Sequence, residues 1–277
     1  MIPLAAEPII YLGTFPITNS MVMAWVAVLF FIIIAGIARR RVGLVPRGIH
    51  NLFETVIELI LGEVQKVTGD RARARQFLPI VGTIFLFVLA VNWMGLIPGV
   101  GSIGRYGLVH GEIELVPLFR AASSDLNLTL AIAIFAVVMS HVFGILHVGV
   151  LSHISKFFNV RGVISALTKG PVAILIAIIE FAVGLLELVS EFAKVLSLSL
   201  RLFGNVFAGE ILLTVMMGIF AYALPIPFIF LEILVGIIQA TVFAMLTLAF
   251  FTVASQSHQE KHEEKTAPLQ LVNLQTH

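Results

Sequence analysis

An all-α polytopic membrane protein is the fold class this sequence predicts, and three observations predict it. Hydrophobic residues make up 59% of the 277 residues and charged residues only 12%, against about 45–50% and about 25% in soluble chains. The apolar residues gather into runs long enough to cross a bilayer. Most Lys and Arg residues fall between those runs, where they mark topology. Together these predict about five membrane-crossing helices plus one interfacial amphipathic helix, the last two long, tilted and forming a hairpin. All belong to a single integral membrane domain over 1–277. There is no Cys, which excludes disulfides and a thiol nucleophile. The net charge of +1 supplies no field for nucleic acid.

Residues 1–20 carry Glu7 and no Lys or Arg, so they lack the basic start of a cleaved signal peptide and read as an outer segment. Met21 to Ala38 is uninterruptedly apolar and forms the first span. Residues 39–76 hold eight basic residues, including Arg39, Arg40 and Arg41, which makes this loop the inner one and places the N-terminus outside. Within it, Leu52, Phe53, Val56, Ile57, Ile60, Val64 and Val67 recur at helical spacing opposite Glu54, Glu58 and Lys66, the pattern of a helix lying on the membrane surface. Phe77 to Pro98 is the second span. Gly99 to Asn127 follows as an outer loop, and its Gly99-Val100-Gly101-Ser102-Ile103-Gly104 reads as a turn, since no strand precedes it. Leu128 to Leu151 is the third span, with His141 and His147 as packing or interfacial residues. Lys156, Arg161 and Lys169 put the next loop inside.

Residues 171–254 are the tilted helical hairpin. A helix over Pro171 to Gly218 reaches roughly 70 Å at ~1.5 Å per residue, more than twice the ~30 Å hydrocarbon core, so it must be broken or strongly tilted. Leu224-Pro225-Ile226-Pro227 marks the turn. Phe228 to Ala254 returns inside, and the polar tail 255–277 is cytoplasmic.

Ionisable groups at membrane depth cost from ~2.5–3.5 up to ~10–17 kcal/mol, depending on the method of measurement, and point to function. Glu180, Glu187, Lys194 and Arg201 follow one another at intervals of seven, a stripe on one helix face, with Glu191 placed to neutralise Lys194. Arg201 keeps its proton at any working pH. Small residues surround it (Ser197, Ser199, Gly204, Asn205, Ala208), and no carboxylate lies one turn away, which points to an acidic helix of another chain. Glu210 is nine residues on, about 180° around the helix. Glu232 and Gln239 share a face of the returning helix. In an antiparallel hairpin Glu210 and Glu232 lie at similar depth, with Gln239 nearer the level of Arg201. Two carboxyls close together in low dielectric do not both ionise cheaply, and such a group can pass protons.

The run from Ser197 to Glu210, Ser-Leu-Ser-Leu-Arg-Leu-Phe-Gly-Asn-Val-Phe-Ala-Gly-Glu, resembles the signature of the subunit a family of F-type ATP synthases. Asn92-Trp93-Met94-Gly95-Leu96-Ile97-Pro98-Gly99, Ser124-Asp125-Leu126-Asn127-Leu128-Thr129 and Gln239-Ala240 agree in order. The resemblance implies a proton-translocating stator subunit with two half-channels beside a rotating ring of c subunits. It implies that Arg201 separates the half-channels and faces the ring's ion-binding carboxylate. It also implies that Asn205, Glu210, Glu232 and Gln239 line the outer half-channel, with Asp125 and Asn127 near its mouth. Glu187 and Ser197 fall where the inner half-channel exit is expected, and Lys194 is counted with the proton path. Some members carry His where this chain has Glu210 or Glu232, and some carry Pro at the position of Val195. Implied partners are the c ring, peripheral-stalk b subunits, the remainder of the ATP synthase and the lipid bilayer, in a bacterial plasma (inner) membrane. No cofactor or metal is implied, and no catalytic chemistry of the chain's own. The transported ion is H+, with Na+ open.

A rival reading is an ion-coupled secondary transporter with a buried Arg/Glu relay, which would need inverted repeats that the sequence lacks. An intramembrane hydrolase using Ser140 would need a His other than the adjacent His141, because neighbours on a helix do not face each other. A passive anchor would have no need of Arg201 or Glu210.

Overall fold

A computed structural model describes residues 6–39, 49–109, 112–150, 153, 171–220 and 225–255. The expected inner-loop residues Arg40 and Arg41, the inner loop at 154–170, the tip of the hairpin at 221–224 and the tail at 256–277 lie outside the described residues.

Helices α1 (Asn19–Arg39), α2 (Ile49–Thr68), α3 (Arg71–Met94), α4 (Leu126–Val148), α5 (Pro171–Ile219) and α6 (Pro225–Ser255) carry the fold. Among the described residues, α1, α3, α4 and α6 are long and apolar enough to cross a membrane. The 49-residue α5 carries the stripe of charges expected for it. Its backbone runs unbroken. At ~1.5 Å per residue it is roughly 70 Å long, so within a ~30 Å core it has to lie obliquely or extend beyond. Pro225 and Pro227 both sit in the first turn of α6, where a missing N–H costs nothing.

Helix α3 starts at Arg71, inside what the charge pattern marks as loop. Asp70 sets that boundary by accepting hydrogen bonds from the backbone N–H groups of Ala72 (3.1 Å) and Arg73 (3.3 Å), an N-cap on a fully exposed carboxyl that these N–H groups hold below its ordinary value. The helix stops at Met94, short of Pro98. The amphipathic stripe of α2 divides. Ile60 and Val64 are buried, with Ile60 lying near Gly82 of α3, whereas Leu52, Ile57 and Val67 remain exposed, as a face meant for lipid would be.

Two hairpins are additions to the expected all-helical plan. Strands β1 (Pro8–Leu12) and β2 (Phe15–Thr18) pair antiparallel, with Leu12 opposite Phe15 and Gly13 at φ +66° in the two-residue loop, a conformation glycine adopts without strain. Strands β3 (Gly104–Val109) and β4 (Glu112–Pro117) pair antiparallel in the outer loop. The glycine-rich motif before them is a 3-10 turn, Val100–Ser102, entered through Gly99 at φ +92°.

The chain divides into two compact units, Met1–Ala133 with Leu196–Leu246, and Ile134–Val195 with Thr247–His277. In the first, Met23, Ala24 and Ala27 of α1 pack with Val91 of α3 and Ala122, flanked by Phe87, Met94, Phe119 and Leu128. In the second, Phe143 and Phe251 are buried with their rings 4.9 Å apart.

Candidate functional site

The site in the first unit begins with the antiparallel pairing of α5 and α6. The Asn205 amide donates to Gln239 Oε1 at 2.8 Å. Four residues along α5 and seven back along α6, Gly209 lies so close to the Glu232 carboxyl that a Cβ on residue 209 would collide with it. A small residue at 209 therefore lets the two helices approach and seats the carboxyl. This pairing puts Glu210 and Glu232 at one level and Gln239 a turn or two deeper.

Both glutamates line a cavity of about 540 Å³, together with Asn92, Arg120, Asn205 and Gln239. Arg120 holds Glu210, its Nε–H lying 3.2 Å from Oε1 and 3.3 Å from Oε2, and its guanidinium lies 5.9 Å from the centre of the Phe207 ring. The Arg120 side chain is 4% exposed and that of Glu210 25%, so the pair is anchored in protein on the arginine side and open to the cavity on the other. Ser123 Oγ donates to Asn92 Oδ1 at 2.8 Å, and Trp93 Nε1–H donates to the Ile233 carbonyl at 3.2 Å. These bonds tie α3 and the segment before α4 to the cavity wall. The amide nitrogens of Asn92 and Gln239 are buried with no hydrogen-bond acceptor. Two unspent donors beside two carboxylates make a wall suited to ordered water or a passing ion.

Arg201 stands apart from the cavity. It is exposed. Among the described residues its recorded partner is Ser197, whose Oγ accepts from Nη2 at 3.4 Å, and no carboxylate stands within ion-pair distance. The helix thus shows a bare cation on one side and the Glu210 carboxylate on the other.

Asp125 and Asn127 do not line the cavity. Asp125 is buried; its Oδ2 accepts from Ser20 Oγ at 2.6 Å and its Oδ1 from the Asn127 backbone N–H at 2.9 Å. It both caps α4 and ties it to α1, while Asn127 is exposed. Ser197 is exposed beside Arg201. In the second unit Glu187 is half-buried, and Lys194 is bound to Glu191 at 2.7 Å.

Sequence reading missed three participants. Arg120 falls within the expected outer loop, Gly99 to Asn127, yet a lone arginine in the apolar setting Pro117-Leu118-Phe119-Arg120-Ala121-Ala122 is itself a signal. Ser20 carried none, and Asn92 only its place in the run Asn92 to Gly99. His141 requires a correction. It is no mere packing residue, because an acidic neighbour absent from its own helix arrives from α5: Glu191 Oε2 lies 3.6 Å from His141 Nε2.

Comparison with known proteins identifies the family. The family described as ATP synthase A chain matches residues 21–252. Proteins named ATP synthase subunit a are similar along nearly their whole length. That of Mycobacterium marinum is 34% identical over 257 residues, covering 91% of this chain and 92% of its own. That of Mycobacterium ulcerans is 34% identical over 250 residues (88% and 90%). That of Moorella thermoacetica is 29% identical over 252 residues (90% and 96%). A match covering α1 through most of α6, with the glutamate-lined cavity and the bare arginine inside it, places this integral membrane chain in the ATP synthase A chain family.

Proposed function

We propose that this chain is the ion-translocating stator subunit of an ATP synthase, and that its two ion paths are separated by Arg201. The observation that carries the reading is the division of α5 into an exposed Arg201 with no carboxylate beside it and, nine residues on, a Glu210 that opens on a cavity with Glu232. A permanently charged guanidinium on a surface of small residues calls for a carboxylate on another chain. A rotating ring of c subunits would bring one such carboxylate after another past it.

In this scheme a proton enters from the outer face and is taken up in the cavity by Glu210 and Glu232. Arg120, held against Glu210, keeps that carboxylate oriented, and Asn205 with Gln239 leads toward the ring. Once neutralised, the ring carboxyl moves into lipid at low cost. On reaching Arg201 after most of a turn, it meets a cation that favours its ionised form and gives up its proton toward Glu187 and the inner face. Arg201 also blocks direct passage between the two paths. Each charge moved is worth about 2.3 kcal/mol per 100 mV, so several must be collected for each ATP, which a ring accomplishes by gearing.

The same reading assigns no cofactor and no bond-making chemistry to this chain. It assigns H+ as the ion, a peripheral stalk of b subunits as a second neighbour, and a bacterial plasma membrane with the N-terminus outside as the setting. The test is Arg201→Ala in the assembled complex reconstituted in vesicles. Proton-driven ATP synthesis is expected to fall to background while the complex still purifies intact. Wild-type synthesis in that variant would overturn the reading.

A further inference from the structure

A cluster in the second unit is used by neither the cavity nor Arg201. Lys194 Nζ donates to Glu191 Oε1 at 2.7 Å and lies 5.0 Å over the Phe250 ring. The other carboxylate oxygen of Glu191, Oε2, is buried without a hydrogen-bond donor and faces His141 Nε2 at 3.6 Å. The second nitrogen of His141, Nδ1, is 3.1 Å from His153 Nε2, with the two rings edge to face at 5.3 Å. His153 is 6% exposed. It fits against α4 because residue 144 is glycine: a Cβ there would stand 2.7 Å from His153 Cε1 and 3.0 Å from the Ala254 carbonyl. Four side chains from α4, its C-terminal flank and α5 thus lie in series, hydrogen-bonded within each pair and separated by 3.6 Å between His141 and Glu191.

Charge counting shows what the chain can hold. Lys194 and Glu191 cancel, leaving two imidazoles, the side chain type that changes charge within the physiological range. With Glu191 as the acceptor for His141 Nε2–H, a neutral His141 leaves Nδ1 bare to accept from His153 Nε2–H. A proton arriving at His153 Nδ1 can then be relayed. The Nε2 proton of His153 passes to His141 Nδ1. The Nε2 proton of His141 passes to Glu191 Oε2 after a small ring rotation closes the 3.6 Å gap. Each N–H broken is matched by one N–H or O–H formed. Among the described residues, the other titratable groups nearby are His147 and Glu187. On α4, His147 Nδ1 is 2.9 Å from the Phe143 carbonyl. On α5, Glu187 is half-buried one turn before Glu191. Residues 247–255 of α6 bring no titratable side chain.

We propose that His141, His153 and Glu191 form a second proton-holding site, which binds one excess proton across the imidazole pair and passes it on as a relay. Its use in transport rests on the ion-path reading above; the binding of the proton does not. The experiment measures passive proton flux through the vesicle-reconstituted complex as the pH on each face is varied in turn across the imidazole range, for the wild type, His141→Gln, His153→Gln and the double variant, with Arg201→Ala beside them. In the wild type, flux is expected to change stepwise with pH on one face. Each single variant removes the step and slows flux on the order of tenfold, and the double variant is no slower than the slower single, because the rings act as a unit. An unchanged pH profile in both single variants, with Arg201→Ala inactive in ATP synthesis, overturns the relay and leaves the ion path standing. Full synthesis in Arg201→Ala overturns the path itself. Should the histidine variants not assemble, nitrogen-15 NMR of the histidine-labelled wild-type complex decides. One pair of ring nitrogens coupled through a shared proton is expected, and independent titration of every ring overturns the proposal.

Discussion

Lys194 and Arg201 lie seven residues apart on α5, on the same stripe, and their surroundings differ sharply. Lys194 is held by Glu191 at 2.7 Å and covered by Phe250. Arg201 has Ser197 at 3.4 Å and an open face. Desolvating an ammonium is tolerable when a carboxylate lies one turn away, and that arrangement keeps the charge at home. A guanidinium left without a carboxylate is a standing demand for one from elsewhere. The difference teaches that position on an apolar helix does not by itself mark function. What marks it is whether the chain has already supplied the counter-charge.

The comparison can be broken in several ways. The largest expected effect is the loss of synthesis in Arg201→Ala described above. Glu210→Gln comes next. It replaces the charged acceptor of the buried Arg120 Nε–H with a neutral amide, which lowers stability by about 1–3 kcal/mol, and slows uptake from the outer face. Adding Arg120→Gln should restore part of the stability and none of the flux, as read from denaturation midpoints and vesicle acidification. Unchanged flux in Glu210→Gln would remove that residue from the path. Lys194→Met, which strands a mostly buried Glu191, should lower stability by about 1–3 kcal/mol, between the exposed and buried limits for an ion pair. An unaltered midpoint would show that Lys194 and Glu191 are solvated separately, and the contrast with Arg201 would collapse.

A subtler effect is expected for Gly209→Ala. The new methyl group meets the end of a flexible side chain, the Glu232 carboxyl, which can swing aside. The complex should therefore assemble normally while proton uptake slows severalfold; loss of assembly instead would mean that the helices, not the carboxyl, give way. The smallest effect concerns Asp70. Its carboxyl is held below the ordinary value of 3.8 by the Ala72 and Arg73 N–H groups. The stabilisation it gives is complete above that ordinary value and is lost as pH falls through the lowered one. Protection of the amides at the start of α3, taken relative to the unstructured exchange rate at each pH, should fall only in strong acid, and should be low at all pH values in Asp70→Ala.

Periodicity made the helices and the two faces of α5 legible, because a seven-residue spacing survives any arrangement of the rest of the chain. It also put Glu210, Glu232 and Gln239 at the right levels, since a short connection between helices leaves only an antiparallel return. Contacts between distant parts of the chain left no such mark. Arg120 and Glu210 are 90 residues apart, and neither His141 nor Glu191 signals the other across the intervening loop. The hairpin in the outer loop did leave a trace in the alternation Glu112-Ile113-Glu114-Leu115, outweighed by the helical character of everything around it. The hairpin before α1 was hidden by Pro8 and Pro16, residues that usually argue against a strand.

The unbroken backbone of α5 has a mechanical meaning. No proline follows Pro171 within it, so no backbone N–H is missing from its hydrogen-bond ladder. Bending the helix at the Arg201 face would strain a continuous hydrogen-bond ladder. Small displacements of the guanidinium are then shared over the neighbouring turns of the helix rather than taken up at one residue.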